Sequence, residues 1–263
     1  MEPGFAPAKV NLTLHVTGRR ADGYHLLDSL VAFADVGDRL AAGAGDGLTV
    51  TGPFAAGVPT GYSNLIRRAL SHVGVRRAVS LEKNLPHPAG LGGGSSDAAA
   101  ALRLVGAEPG PEVAETLGAD VPVCLLARGA RMRGIGEQVE PVALPSLPAV
   151  LVNPGVAVAT PKVFAALARP NNADMGALPD WADAAELIPW LGTMRNDLEA
   201  PARSLAPEIG TALAAIGGTG ATLARMSGSG ATCFGLYPSR AVAETAAAAL
   251  ARPGWWVRAC TLR

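Results

Sequence analysis

Strict alternation of apolar and polar residues marks the segment from residue 9 to residue 17. Apolar side chains occupy every second position: Val10, Leu12, Leu14 and Val16. A repeat of two residues is typical of a strand with one buried face, so we predict a half-buried strand here. An Asp-Gly turn at residues 22–23 and a strand-like run at 25–35 follow. Together these features predict an antiparallel hairpin.

Short strands and helices are predicted to alternate through the rest of the first half. The predicted strands are 48–51, 78–83 and 149–153, and the predicted helices are 64–72, 98–105 and 111–117. We expect Ser95 or Ser96 to cap the helix at 98–105, with Asp97 in its first turn. Residues 131–136 have turn character.

The second half reads as helices followed by a β-rich end. The predicted helices are 161–168, 182–190, 197–204, 207–216 and 239–251, and the predicted strands are 222–226, 231–237 and 255–262. A polar, proline-rich loop is predicted at 169–180. Because Pro145 and Pro148 interrupt the chain, we place a domain boundary near 145–155, which gives domains 1–150 and 151–263.

Charge and hydropathy exclude several classes of protein. The 263 residues include 22 basic and 22 acidic residues, so the net charge is zero. A nucleic-acid-binding face would need a basic excess, and no apolar run approaches the ~18 residues of a membrane span. The first residues show no signal-peptide pattern. We therefore expect a cytoplasmic protein without nucleic-acid or membrane partners.

Three cysteines are spread widely along the chain, at Cys124, Cys233 and Cys260. Their apolar surroundings and the absence of a CxxC or CxxH pair argue against a zinc site or a disulfide framework. We expect three buried, reduced thiols.

The strongest local signal is the segment GLGGGSSD at residues 90–97, which opens a helix. Glycines allow close approach of the backbone to a ligand, and a helix N-terminus offers unpaired N–H groups with partial positive charge. The combination predicts an anion site suited to phosphate. It is neither a Walker A motif, since the chain has no Gly-Lys pair, nor a G-x-G-x-x-G fingerprint, since position 95 is serine.

Lysine is rare in this chain, with Lys9, Lys83 and Lys162 against 19 arginines. An ammonium is a compact charge with a tunable pKa, unlike a guanidinium, so a retained lysine can indicate chemistry or be a remnant of drift. A second small-residue turn, SGSG at 227–230, is compatible with an ordinary hairpin turn.

Five segments together resemble the GHMP kinase superfamily, over nearly the whole chain. They are PAKVNL (7–12), ADGYH (21–25), GLGGGSSDAA (90–99), GADVP (118–122) and MSGSGAT (226–232). The pairing of the first two resembles, within the superfamily, the kinases that act on 4-diphosphocytidyl-2-C-methyl-D-erythritol. The resemblance implies an α+β fold in two domains, the first like domain 2 of ribosomal protein S5 and the second ferredoxin-like.

The resemblance also implies roles for particular residues. Lys9 and Asp120 match a catalytic pair. The implied ATP contacts are Asn64, Lys83, Pro88, Ala89, Gly90, Leu91, Gly92, Gly93, Gly94, Ser95 and Ser96. The implied substrate contacts are Asn11, Tyr24, His25, Thr160 and Phe164. At Val31, some relatives carry an aromatic residue that packs on the cytosine.

The implied reaction is ATP-dependent phosphorylation of the substrate's 2-hydroxyl in the non-mevalonate route to isoprenoid precursors. Asp120 would act on the hydroxyl, and Lys9 would stabilise charge beside it. Mg²⁺ would come with ATP, held by phosphates, waters and Ser96. Two alternatives stay open: another small-molecule GHMP kinase, acting for example on mevalonate or homoserine, and a non-catalytic nucleotide-binding protein. The expected partners are small molecules, and the expected state is a monomer or a weak homodimer.

Overall fold

A computed structural model describes residues 2–110 and 116–263. In chain order, the strands are β1 Phe5–Asn11, β2 His15–Arg19, β3 His25–Gly43, β4 Gly47–Thr51, β5 Ala78–Glu82, β6 Ala130–Gly134, β7 Gln138–Pro141, β8 Leu147–Asn153, β9 Leu223–Met226, β10 Cys233–Leu236 and β11 Trp256–Leu262. The helices are α1 Leu65–His72, α2 Gly93–Leu104, α3 Val121–Leu126, α4 Thr160–Ala165, α5 Ala184–Thr193, α6 Glu199–Leu205, α7 Glu208–Gly217 and α8 Arg240–Leu250.

Strand β3 organises the sheet. The strands run in the order β4-β5-β3-β11-β8-β10-β9, and β1, β2 and β6 also pair with β3. Strand β8 lies between β10 and β11, which both come from the C-terminal end of the chain. The predicted domain boundary falls on β8, and its position stays a prediction. The mixture of helices and strands confirms the α+β class.

One apolar cluster joins the two halves of the chain. Val10 and Leu30 from the first half pack in the same cluster as Leu151 and Phe234 from the second, and Leu91 of the glycine loop is also a member. Full burial of such a side chain stabilises a fold by about 1.5–3 kcal/mol. The glycine loop is therefore anchored directly in the core.

Most predicted elements are confirmed, including the hairpin, in which His15 pairs with Asp28 and Arg19 with His25. The strand predicted at 9–17 is wrong in two respects. It is divided into β1 and β2, because the chain leaves the ladder between them. It is also buried on both faces, because Gly92 of the glycine loop lies against the Lys9 side chain, and residues 173–175 lie against Thr13 and His15.

The turn predicted at 131–136 is a strand over most of its length. Strand β6 pairs with β3 on one side and with β7 on the other. Arg131 is buried in this strand and forms two hydrogen bonds with Asp28 (2.8 and 2.7 Å). The ion pair allows an arginine in an interior strand.

All three cysteines are buried, as expected. The helix predicted at 111–117 lies largely outside the described residues. Among the helices that the structure describes, none has the length and apolar character needed to cross a membrane.

Candidate active site

The glycine loop enters α2 through a left-handed residue. Gly92 is the N-cap, with φ 61°, and the helix begins at Gly93. The predicted serine cap is wrong, because Ser95 and Ser96 lie inside the first turns. A side chain at Gly92 would be strained, and its Cβ would lie 3.3 Å from Lys9 Cβ and Cε. The glycine thus brings the unpaired N–H groups of the first helical turn next to Lys9.

A turn from the C-terminal half clamps the same loop. The Ser227 hydroxyl donates to the Gly90 carbonyl (2.9 Å) and accepts the Asn11 N–H (3.0 Å). Gly90 has φ 72°, and a Cβ there would collide with the Ser227 carbonyl oxygen. The SGSG segment is therefore part of the cleft wall as well as a turn between β9 and β10.

Lys9 and Asp120 form an ion pair in the cleft. Lys9 Nζ lies 2.6 Å from Asp120 Oδ1, and the Lys9 side chain is buried whereas that of Asp120 is 35% exposed. Asp120 occupies the N-cap position of α3 but its side chain makes no capping hydrogen bond. The carboxylate is directed to Lys9 and the cleft instead, which leaves it accessible to a ligand.

Polar side chains continue the wall beyond this pair. Asn11 Nδ2 donates to Ser29 Oγ (2.8 Å). The hydroxyls of Thr160, the first residue of α4, and Ser229 are 2.7 Å apart. All four residues line one cavity of about 610 Å³ together with the glycine loop.

The other end of the cleft is aromatic. The rings of His25 and Phe164 stack with their centroids 4.8 Å apart and their planes 22° from parallel. Burial, and secondarily the charge of Arg19, lower the pKa of His25, so a neutral ring is favoured. Tyr24 is 61% exposed at the rim.

The polar and aromatic ends form one continuous cleft. A second cavity of about 630 Å³ is lined by Tyr24 and His25. It shares Leu27, Thr160 and Phe164 with the first cavity. A ligand can therefore extend from the aromatic end to the Lys9–Asp120 pair.

Four positions singled out by the resemblance do not face the cleft, and three of them are implied ATP contacts. Ser96 is fully buried, and its hydroxyl donates to the Pro7 carbonyl (2.8 Å). Asn64 caps α1 by accepting the N–H of Ile66 (2.8 Å). Val31 is fully buried in an apolar cluster beneath the cleft, so the expected place of a stacking residue is not at the pocket surface.

The fourth is Lys83, whose ammonium donates to Asp38 (2.5 Å) and Asp97 (2.8 Å). Asp97, expected in the first turn of the helix, lies in α2 and is buried. Burial, and to a lesser degree the neighbouring Asp38, raise the pKa of Asp97 to about 7, although Lys83 acts in the opposite direction. The Lys83 side chain is thus engaged away from the cleft.

Sequence reasoning missed several residues of the wall. Ser29 and Met132 line the cleft, and Asn196 Nδ2 donates to the carbonyls of Met226 (2.8 Å) and Gly228 (2.9 Å), which holds the clamping turn. Asn196 also accepts the Leu198 N–H near the start of α6, as a capping residue does. The sequence signal was that capping pattern, which does not reveal the second role.

The cleft suits a cation that arrives with phosphates. Among the described residues that line it, two carry a carboxylate: Asp120, and Asp22 at the aromatic rim. One oxygen of Asp120 is already bonded to Lys9. The described part of the chain contains no cluster of three or more histidine, cysteine or acidic residues able to hold a metal. Mg²⁺ is commonly bound by one or two carboxylates plus substrate phosphates and waters, which fits this donor set. The Ser96 hydroxyl is buried and donates to the Pro7 carbonyl, so it is not directed into the cleft.

Comparison with known proteins agrees with this geometry. The model of the GHMP kinases N terminal domain matches residues 60–128, and that of the GHMP kinases C terminal region matches residues 165–254. A 4-diphosphocytidyl-2-C-methyl-D-erythritol kinase of Dinoroseobacter shibae is 59% identical, over 99% of this chain and 94% of the relative. The chain belongs to the GHMP kinase family. A kinase of the same name from Paracoccus denitrificans is 56% identical to this GHMP kinase, over 98% of this chain and 95% of the relative.

Solved structures of other kinases superpose on this GHMP kinase over nearly its whole length. A crystal structure of 4-(cytidine 5'-diphospho)-2C-methyl-D-erythritol kinase superposes with a TM-score of 0.80 at 41% identity, covering 98% of each chain. An L. major mevalonate kinase has a TM-score of 0.69 at 17% identity, over 99% of this chain and 95% of that chain. At that identity the likeness shows the shared fold alone.

Proposed function

We propose that this enzyme transfers the γ-phosphoryl group of ATP to the 2-hydroxyl of 4-diphosphocytidyl-2-C-methyl-D-erythritol, a step of the non-mevalonate route to isoprenoid precursors. The observation that carries the proposal is the position of the Lys9–Asp120 pair. It lies between a glycine loop suited to phosphates and a cavity that ends in stacked aromatic rings. The names of the relatives support the choice of acceptor.

The glycine loop holds the triphosphate. The N–H groups at the start of α2 and the helix dipole favour negative charge. Phosphoryl transfer needs positioning and charge stabilisation more than covalent catalysis. With Ser227 and Leu91 fixing the loop from two sides, the N–H groups are already in place when ATP binds.

Asp120 receives the proton of the acceptor hydroxyl. As that oxygen forms a bond to the γ-phosphorus, the bond from the γ-phosphorus to the β–γ bridging oxygen breaks and ADP leaves. Lys9, 2.6 Å from the Asp120 carboxylate, holds the carboxylate in place and offsets negative charge that develops nearby. Mg²⁺, held by the phosphates and waters, would neutralise part of the phosphate charge.

The aromatic end selects the cytidine. The His25 and Phe164 rings are too close for a base to enter between them, since their centroids are 4.8 Å apart. We therefore place the cytosine on an outer face of the stacked pair, within reach of the exposed Tyr24. Asn11 and Thr160 line the path between this end and Asp120, and we assign them to the acceptor's diphosphate and methylerythritol.

Product identification tests the proposal. The enzyme is incubated with ATP and one acceptor, and phosphorus NMR follows new phosphomonoester signals. We expect a new phosphomonoester on the 2-hydroxyl of the cytidine-bearing acceptor, with mevalonate and homoserine unchanged. Phosphorylation of mevalonate or homoserine instead would assign another GHMP activity, and no product from any acceptor would favour a non-catalytic nucleotide-binding protein.

We place the reaction in the cytoplasm, on a monomer or weak homodimer. The three buried thiols suit a reducing compartment.

A further inference from the structure

A buried ionic triad lies behind the glycine loop and takes no part in the phosphoryl transfer described above. Lys83 follows β5, Asp38 belongs to β3 and Asp97 to α2, so the triad joins three elements. The side chains of Lys83, Asp38 and Asp97 are 3%, 0% and 6% exposed. Burying charged groups is costly and is often no more stable than apolar packing, so stability alone does not explain the triad.

Among the glycines of the loop, Gly93 is the one whose Cβ position faces the triad. A Cβ on Gly93 would lie 3.1 Å from Lys83 Nζ and 3.9 Å from Asp38 Oδ2. Gly93 is the first residue of α2 and lines the cleft. A single residue of backbone therefore separates the ammonium from the place proposed for the ATP phosphates.

Lys83 cannot turn towards a nucleotide without breaking this arrangement. Its backbone N–H donates to the Thr51 carbonyl (2.7 Å), and its carbonyl accepts the Phe54 N–H (3.1 Å). Asp38, which holds the ammonium, also accepts the N–H groups of Asn84 (2.5 Å) and Leu85 (2.8 Å). The triad thus fixes the segment after β5 and the start of α2 against the same strand.

We propose that Lys83 is a positioning residue: the Lys83–Asp38–Asp97 triad sets the position of Gly93 and the first N–H groups of α2 for binding phosphates, and the Lys83 ammonium does not contact the adenine. This inference rests on the proposed use of ATP. It replaces the adenine-side role that the sequence implied for Lys83. A role in positioning the loop predicts an effect on any polyphosphate, whereas a contact with the base predicts an effect on ATP alone.

Calorimetric titration of Lys83→Met with ATP and with inorganic tripolyphosphate separates these roles. We expect both dissociation constants to rise by the same factor, about ten- to a hundredfold, because small displacements of a positioned group are costly. The acceptor KM should stay unchanged. Weakening confined to ATP would show that Lys83 contacts the base, and unchanged binding of both would show a purely structural triad; either result overturns the proposal.

The matched control is Arg131→Met, which removes the cation of the buried Arg131–Asp28 pair away from the loop. It should lower thermal stability but leave tripolyphosphate affinity unchanged. An equal loss of affinity in this control would contradict a role specific to the triad. If Lys83→Met does not fold, Lys83→Gln, a polar side chain that also removes the cation, carries the same titrations and the same outcomes.

The proposed function can fail separately. A wild-type enzyme that binds ATP and tripolyphosphate but phosphorylates none of the acceptors would refute the proposed reaction. The titrations of the Lys83 variants would still decide the role of the triad.

Discussion

The two ends of the cleft recognise their ligands by different means. The phosphate end is built from backbone: Gly90 and Gly92 have left-handed conformations that other residues rarely adopt, and Ser227 and Leu91 fix the loop to the core. The acceptor end is built from side chains, with His25 stacked on Phe164 and Tyr24 exposed at the rim.

The contrast between a backbone end and a side-chain end indicates which part of the cleft selects the acceptor. Backbone N–H groups bind any phosphate, so the first end suits every kinase with this fold. A few side chains at the second end choose the acceptor. Asp120 lies between the ends and serves both. Variants should therefore divide into those that affect turnover, ATP binding or acceptor binding alone.

The largest effect is expected from the residue between the two ends. Asp120→Asn keeps the size of the side chain but removes the proton acceptor, so kcat should fall by about 10²–10⁴. Affinity for ATP should be retained, because the glycine loop does not depend on this carboxylate. Steady-state kinetics and calorimetric titration check both statements. Retention of more than about a third of wild-type turnover would show that Asp120 is not the base.

Gly93→Val should damage the phosphate end alone. A Cβ at Gly93 would lie 3.1 Å from Lys83 Nζ, and a β-branched side chain adds bulk where ATP approaches the backbone. The dissociation constant for ATP should rise far more than the KM for the acceptor. Gly217→Val, the same change where a Cβ would meet nothing within 4 Å, is the control. Equal losses for both ligands would argue against the phosphate-loop assignment.

His25→Ala should damage the acceptor end alone. Base–aromatic stacking is worth about 1–3 kcal/mol, so the KM for the acceptor should rise about ten- to a hundredfold, with the KM for ATP unchanged. His72→Ala, at the end of α1, is the control. If the KM for ATP rose equally, the two ends would not be independent.

Val31→Phe should have the smallest effect on kinetics. The sequence comparison suggested that an aromatic residue here would face the cytosine, but Val31 is fully buried among Phe33, Val123 and Met132. Overpacking of this kind typically costs 1–3 kcal/mol, so about that loss is expected in the free energy of unfolding, measured with denaturant, without tighter acceptor binding. A lower acceptor KM with unchanged stability would place residue 31 at the pocket.

The sequence predicted local structure well wherever the apolar residues followed a single spacing, either that of a helix or that of a strand. The helix at 64–72 and the strands of the C-terminal end have clear periodicity and fixed boundaries, and they are confirmed. Prediction failed where distant segments cover a surface. The polar face of β1 seemed exposed because nothing local shows that the glycine loop lies over it.

In the site, too, some features were predicted from the sequence, whereas those that depend on contacts between distant segments were not. The resemblance to the GHMP kinases placed Lys9, Asp120 and the glycine loop in one cleft, although Lys9 and Asp120 are 111 positions apart. The burial of Ser96, the contact of Lys83 with Asp38 and Asp97, and the amide of Asn196 depend on contacts between residues 14 to 89 positions apart. Pattern alone does not predict such pairings.

The most direct test of this account is ADP release by the wild-type enzyme in a coupled assay, with ATP fixed and the acceptor varied. Rapid ADP release that requires 4-diphosphocytidyl-2-C-methyl-D-erythritol, and that His25→Ala shifts to higher acceptor concentration, is the predicted result. ADP release that proceeds equally without this acceptor, or with mevalonate or homoserine in its place, would contradict the claim that the aromatic end delivers a cytidine-bearing hydroxyl to Asp120.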